Sequence, residues 1–170
     1  MPAPWFTRHA SLVAAGARLL DVACGSGRHA RLFAERGVQV TAVDRDAVAL
    51  QSLTGVDGVA IEHRDIEREA WPYTPNSFDA MIVCNYLWRP NFDALLATLK
   101  PGGVLLYETF MDGNERYGKP SRPDFLLRSN ELIARAHPAF RVVAFAEGDE
   151  LNASGESIAV KQKVAAIKLR

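Results

Sequence analysis

Five short, almost unbroken apolar runs, separated by stretches of helical period, constrain this chain more than any other feature. They are Leu19-Leu20-Asp21-Val22-Ala23, Val38 to Asp44, Val59 to His63, Phe78 to Cys84 and Val104 to Glu108. Runs of this length and continuity are buried on both faces, which is the habit of parallel strands covered by helices on either side. Residues 28–36 put Leu32 and Phe33 on one helical face and stop at Gly37, suited to a C′ position. Residues 46–53 place Val48, Leu50 and Leu53 among polar neighbours. Residues 91–99 carry the clearest stripe, with Phe92, Leu95, Leu96 and Leu99 at i, i+3, i+4 and i+7, ended by Pro101-Gly102-Gly103. Residues 130–137 follow Ser129, a preferred N-cap type, and are expected to bury Leu132 and Ile133. The tail differs. Phe140 to Glu147 and Ala159 to Leu169 read as strands joined by a polar loop, 148–157, too short for a parallel crossover. The expected fold is α/β, a doubly wound, mostly parallel sheet with an antiparallel strand near one edge.

Composition narrows the function. A chain of 170 residues, 48% hydrophobic, suits a single domain over 1–170. Twenty basic residues balance twenty acidic ones, so no overall field draws the molecule to nucleic acid or anionic lipid. No apolar run approaches the roughly 18 residues that span a bilayer. Met1 to Arg8 lacks the basic start and long apolar stretch of a signal peptide, and the expectation is a cytoplasmic protein. Cys24 and Cys84 are the only cysteines; two thiols without a histidine cluster make neither a disulfide framework nor a zinc site, so no metal is expected.

The chemistry concentrates where the first strand runs into Asp21-Val22-Ala23-Cys24-Gly25-Ser26-Gly27-Arg28-His29-Ala30. Glycine in a strand-to-helix turn lets a ligand approach the backbone, and in an open α/β sheet ligands bind at the carboxyl ends of central strands. The second strand ends in Asp44, 19 residues after Gly25, placed to accept both hydroxyls of a ribose. A pyrophosphate would be repelled by Asp21 at the strand end, and Ala30 stands where a dinucleotide loop has its third glycine. A carboxylate there favours a cofactor carrying an ammonium and a sulfonium, S-adenosylmethionine. Taken singly, the pieces have blander readings: the glycines a plain turn, Asp44 a helix N-terminal charge, Asp65 a turn cap, Cys24 and Cys84 small buried residues. His29 reads as a packing or capping residue before a catalytic base, and Trp71-Pro72-Tyr73 as a hydrophobic plug.

With these motifs the chain resembles the class I S-adenosylmethionine-dependent methyltransferases. The resemblance rests on L-L-D-V-A-C-G-S-G at 19–27, V-T-A-V-D at 40–44, H-R-D-I-E at 63–67, F-D-A-M-I-V-C-N at 78–85 and L-K-P-G-G-V-L-L-Y-E at 99–108. It covers roughly residues 18–110; Ala23 departs from the glycine many members have. It implies a Rossmann-like, seven-stranded sheet with a reversed last strand. It also implies that Asp21 and the backbone from Ala23 through Cys24 and Gly25 to Gly27 hold the methionine part, and that Asp44 holds the ribose with Arg45 beside the adenine. Asp65 would accept the adenine amino group, the Ile66 backbone would meet a ring nitrogen, and Cys84 and Asn85 would lie beneath the sulfonium. Within the family the likeness is to the small-molecule branch that includes tellurite-resistance-type and thiopurine-type enzymes.

The acceptor side is less legible. No catalytic dyad stands out. Asn85-Tyr86 lacks the prolines of the N-P-P-Y motif of nucleic-acid amino methylation, which argues against a base substrate. Residues 110–128 should lie over the cofactor edge, and long insertions there are more often functional than ornamental. Tyr86, Arg116, Tyr117, Lys119 and Arg122 are the candidates for a pocket that takes a small acceptor, anionic ones included; the rival reading is a solvated loop. Residues 1–17, with Trp5, Phe6 and His9, are expected to form a short lid, unless another subunit completes the site of a homodimer. The rival functions are an RNA or protein methyltransferase, a non-catalytic S-adenosylmethionine-binding protein and a nicotinamide-dependent oxidoreductase.

Overall fold

A computed structural model describes residues 1–170. Seven strands form one sheet: β1 (Arg18–Val22), β2 (Gln39–Asp44), β3 (Val59–His63), β4 (Phe78–Cys84), β5 (Leu99–Phe110), β6 (Phe140–Leu151) and β7 (Ser157–Lys168). Their spatial order is β3-β2-β1-β4-β5-β7-β6. The first five are mutually parallel, and β7 runs antiparallel to both neighbours. The chain therefore turns outward in both directions from the β1–β4 boundary, which is the crevice where doubly wound sheets take ligands.

Alternation along the strands builds two cores, one on each face. Leu20, Val22, Met81, Val83, Leu105 and Tyr107 point to the face covered by α4 (Phe92–Thr98) and α5 (Glu131–Ala136). Leu19, Ala80, Ile82 and Leu106 point to the other, where Phe6 of α1 (Pro4–His9), Phe33 of α2 (Arg28–Ala34) and Leu50 of α3 (Ala47–Leu50) pack. Double-sided burial is why these strands lack polar alternation. The Trp71–Tyr73 segment plugs the first core: the Trp71 indole donates to Thr98 Oγ1 at 2.9 Å and the Tyr73 hydroxyl to Glu62 at 2.8 Å. No helix is long and apolar enough to cross a membrane.

Several local expectations change. The hairpin strands are longer than their apolar runs, leaving a turn of 152–156 that the Asn152 side chain organises by accepting from Ser154 and Glu156 N–H groups. Leu99, the last residue of the 91–99 stripe, starts β5 rather than ending the helix. Ser129 does not cap α5; its hydroxyl donates to Glu147, and the first turn is served instead by the buried Gln162, whose Oε1 accepts from Leu132 N–H at 2.6 Å. Ile133 is only half-buried.

The turn after β1 is held rigidly. Gly27 N–H donates to Cys24 O at 2.9 Å, while Ser52 Oγ, at 2.8 Å, and Arg31 both donate to Ser26 O. Gly27 has a φ of +74° and packs against Leu53, so a Cβ there meets both backbone strain and a buried side chain. Gly27→Ala is expected to cost about 2 kcal/mol or more. The check is a urea unfolding midpoint; an unchanged midpoint would contradict the tight-turn account.

Candidate functional site

Two cavities open at the carboxyl edge of the sheet and meet at Ala23. The larger, about 250 Å³, is lined by Asp21, Ala23, Cys24, Gly25, Ser26, Arg28, His29 and Cys84. The other, about 200 Å³, is lined by Ala23, Asp44, Arg45, Arg64, Asp65, Ile66, Glu67 and Tyr86. Ala23 itself has a φ of +54°, a left-handed conformation that costs a non-glycine residue about 1–2 kcal/mol.

Asp21 dominates the first cavity. Its carboxyl is 1% exposed, and Oδ2 has no hydrogen-bond partner. Burial pushes it from an ordinary 3.8 to about 8, and the charge on Asp44 adds to this; the Ala30 backbone and the Arg28 guanidinium pull the other way without winning. A buried polar atom without a partner signals a missing one, and a cation arriving here would let the carboxyl ionise. Arg28 is exposed, and its Nη2 donates to Cys84 Sγ at 3.5 Å. Burial raises both thiols, Cys24 and Cys84, so neither is an activated nucleophile. His29 is a packing residue: Nε2 accepts from Ala3 N–H at 3.1 Å, the ring lies 4.3 Å from that of Phe6, and burial lowers it to about 3.

Asp44 shapes the junction. Oδ2 accepts from Gly25 N–H at 2.7 Å and Oδ1 from Asp46 N–H at 2.8 Å, so the carboxylate latches the glycine turn and keeps a lone pair on each oxygen. In the second cavity Asp65 accepts from Glu67 N–H at 3.1 Å and pairs with Arg68 at 3.6 Å, the turn-capping role, while still lining the cavity. Ile66 is buried, and its N–H donates to no protein acceptor. Arg45 pairs with Glu67 at 3.6 Å. The buried Tyr86 hydroxyl is unpartnered, and burial raises it.

Ten of the residues expected from sequence thus line these cavities: Asp21, Ala23, Cys24, Gly25, Asp44, Arg45, Asp65, Ile66, Cys84 and Tyr86. Gly27 sits behind the turn, and Asn85, at φ +56°, is exposed and lines neither cavity. Arg116, Tyr117, Lys119 and Arg122 line neither and are exposed. Arg116 donates to Gly113 O at 3.0 Å beside Tyr117, and Arg122 pairs with Asp124 at 3.0 Å. Their segment is nevertheless folded. Arg89 grips Glu131 at 2.8 Å and the carbonyls of Asp124 and Leu126, while Asn114 is buried and accepts from Val160 N–H. Trp5 and Phe6 are buried in the core beside His29, so α1 is a packed wall. Ser26 lies within the Ala23–Gly27 backbone expected from sequence, whereas Arg28, His29, Arg64 and Glu67 are lining residues the sequence reading missed. Arg28 and His29 follow directly from the glycine turn, since they form the first turn of α2.

Comparison with known proteins identifies the family and the fold. A family model described as a methyltransferase domain matches residues 19–103. The ubiquinone biosynthesis O-methyltransferase of Stutzerimonas stutzeri is 32% identical over 123 residues, 66% of this chain and 52% of that protein. The chain spans about half the length of the curated relatives it matches. TehB from Haemophilus influenzae superposes with a TM-score of 0.75 at 16% identity, covering 100% of this chain and 63% of that one. The [4+2]-cyclase SpnF superposes at 0.69 and 17% identity, covering 93% and 76%, so this fold alone does not fix a reaction.

The raised Asp21 carboxyl makes stability pH-dependent. The folded form binds its proton more tightly than the unfolded chain, so this contribution is full below about pH 4 and is lost as pH rises toward 8, at about 1.4 kcal/mol per unit. Unliganded Asp21→Asn should therefore be more stable than the parent at pH 8 and gain nothing at pH 4. Urea midpoints at the two pH values check this; a variant destabilised at both would contradict it.

Proposed function

Because the chain belongs to the methyltransferase-domain family, we propose that it transfers a methyl group from S-adenosylmethionine to a small-molecule acceptor. The observation that carries this reading is the unpartnered Asp21 oxygen in a cavity that joins a second cavity at Ala23. A doubly phosphorylated cofactor would hold that carboxyl in its neutral form and leave it without a counter-charge; an ammonium would let it ionise and complete it. When bound, S-adenosylmethionine supplies a methyl group already activated by its positive sulfur.

The residues present fit that molecule. Asp21 would hold the ammonium, and Arg28, on the same cavity, the carboxylate. Asp44 would take the ribose hydroxyls with its free lone pairs while keeping the glycine turn in place. Asp65 would accept the adenine amino group, the Ile66 N–H would donate to a ring nitrogen, and Arg45 would flank the base. Cys84, at the end of β4, would border the reacting sulfur, and Asn85 follows it. In such a transfer the protein contributes mostly orientation and exclusion of water. The wall formed by α1 serves the second purpose, and residues 1–17 are read as the cover of the methionine end within one domain of 1–170. Tyr86, which lines the second cavity, would border the acceptor. Arg116, Tyr117, Lys119 and Arg122 would reach the acceptor from the 110–128 segment, outside the cofactor cavities.

The balanced charge supports a partner other than nucleic acid, and the relative from S. stutzeri bears the name of a small-molecule O-methyltransferase. We read the protein as cytoplasmic, active as a monomer or homodimer. Calorimetric titration distinguishes the cofactors. S-adenosylhomocysteine is expected to bind and NADH to give no heat; tight NADH binding with S-adenosylhomocysteine ignored would refute the reading. A methyl-labelled donor with small hydroxyls, thiols and amines then tests transfer itself.

A further inference from the structure

Away from the cofactor cavities, a groove of about 460 Å³ opens beside α5, lined by Arg89, Arg128, Ser129, Glu131, Ala134 and Arg135. Three guanidiniums there face one carboxylate. That carboxylate is already taken. Glu131 Oε2 accepts from Arg89 Nη2 at 2.8 Å and from Arg128 N–H at 2.9 Å, while Oε1 accepts from Arg89 Nε at 2.8 Å and Arg135 Nε at 2.9 Å. Burial works against its charge, yet these donors hold it down at about 2. Two other acids of the neighbourhood are also engaged: Asp124 pairs with Arg122, and Glu147 accepts from Ser129, Asn130 and Gln162.

The three arginines differ in what they have left to give. Arg89 is committed, since Nη1 and Nη2 also donate to the carbonyls of Asp124 and Leu126. Arg135 bonds through Nε, and its guanidinium lies over the Phe92 ring at 4.6 Å, which fixes its plane and leaves Nη1 and Nη2 free. The Arg128 side chain is exposed and has no protein partner, but its backbone is fixed: its N–H donates to Glu131 and its carbonyl accepts from the buried Gln162 Nε2 at 3.1 Å. Like charges gathered on a fixed frame repel until a counter-ion arrives. Planar guanidinium forks match phosphoryl oxygens. We propose that this groove is a binding site for a phosphoryl dianion, free phosphate or the phosphate of a small monoester, seated between Arg128 and the free edge of Arg135. Arg89 and Glu131 are its frame. The excess of two positive charges among the lining residues matches the two negative charges of the ligand. The groove shares no residue with the two cofactor cavities, and the inference stands independently of the methyl-transfer reading.

The test is calorimetric titration at pH 8 and constant low ionic strength with inorganic phosphate, phenyl phosphate and acetate. A phosphate compound should bind the parent at one site, and Arg128→Gln should weaken it about tenfold or more. Arg128→Gln/Arg135→Gln should weaken it further. Arg141→Gln, at an exposed arginine outside the groove, should bind like the parent. Acetate, with one charge, should bind at least about tenfold more weakly than phosphate. Because the Arg128 side chain holds no other group, Arg128→Gln should melt with the parent and keeps the test valid if the double variant folds poorly. Tighter binding of phenyl phosphate than of phosphate assigns the site to a phosphorylated compound; the reverse order assigns it to the free ion. Absence of heat with both phosphate compounds, equal binding by parent and Arg128→Gln, or acetate held as tightly as phosphate would each overturn the proposal. So would displacement of the phosphate by S-adenosylhomocysteine, which would place the ion at Arg28 instead.

Discussion

One buried carboxyl with a bare oxygen organises this molecule. Asp21 occupies a strand position that the surrounding pattern reserves for apolar residues, at the boundary where the sheet turns outward in both directions. Keeping it there costs folding free energy that a leucine or valine would not. That cost is tolerable only if a ligand recovers it, and the cavity beside it is open to one.

The rest of the edge holds the surroundings of Asp21 still. Asp44 ties the glycine turn from the next strand, Ser52 and Arg31 tie its apex, and the packing of Gly27 against Leu53 sets the entry of α2. Because these contacts exist without ligand, the site pays little ordering entropy on binding. Two further acids, Asp65 and Glu108, border the same edge with different partners: the first caps a turn, the second is pinned by lysine. Similar groups thus take different work from their surroundings.

The fold was legible because parallel strands carry their own signature. All five central strands and the reversed β7 come from apolar runs and from one loop too short for a crossover. The lining of the second cavity was legible for a related reason: most of its residues sit at or just beyond strand ends, so reading the strands places them. What escaped depends on tertiary partners. Ser129 is drawn from the cap of α5 by Glu147 on β6, a contact no local pattern announces. Arg28 and His29 follow the glycine turn, yet only the tertiary packing shows that one reaches across the cavity to Cys84 while the other is committed to Ala3. The charges of 110–128 advertised a pocket, but two of the arginines bind their own neighbourhood, Arg116 at Gly113 and Arg122 at Asp124.

The central claim is that the Asp21 carboxyl is protonated in the free protein and becomes charged when a cation arrives. Calorimetry of S-adenosylhomocysteine binding at pH 7, repeated in buffers of different ionisation enthalpy, counts the proton directly. With the group at about 8, close to one proton should be released per site at pH 7, declining toward none by about pH 9.5, and none should be released by Asp21→Asn. Heats that do not depend on the buffer would contradict the account.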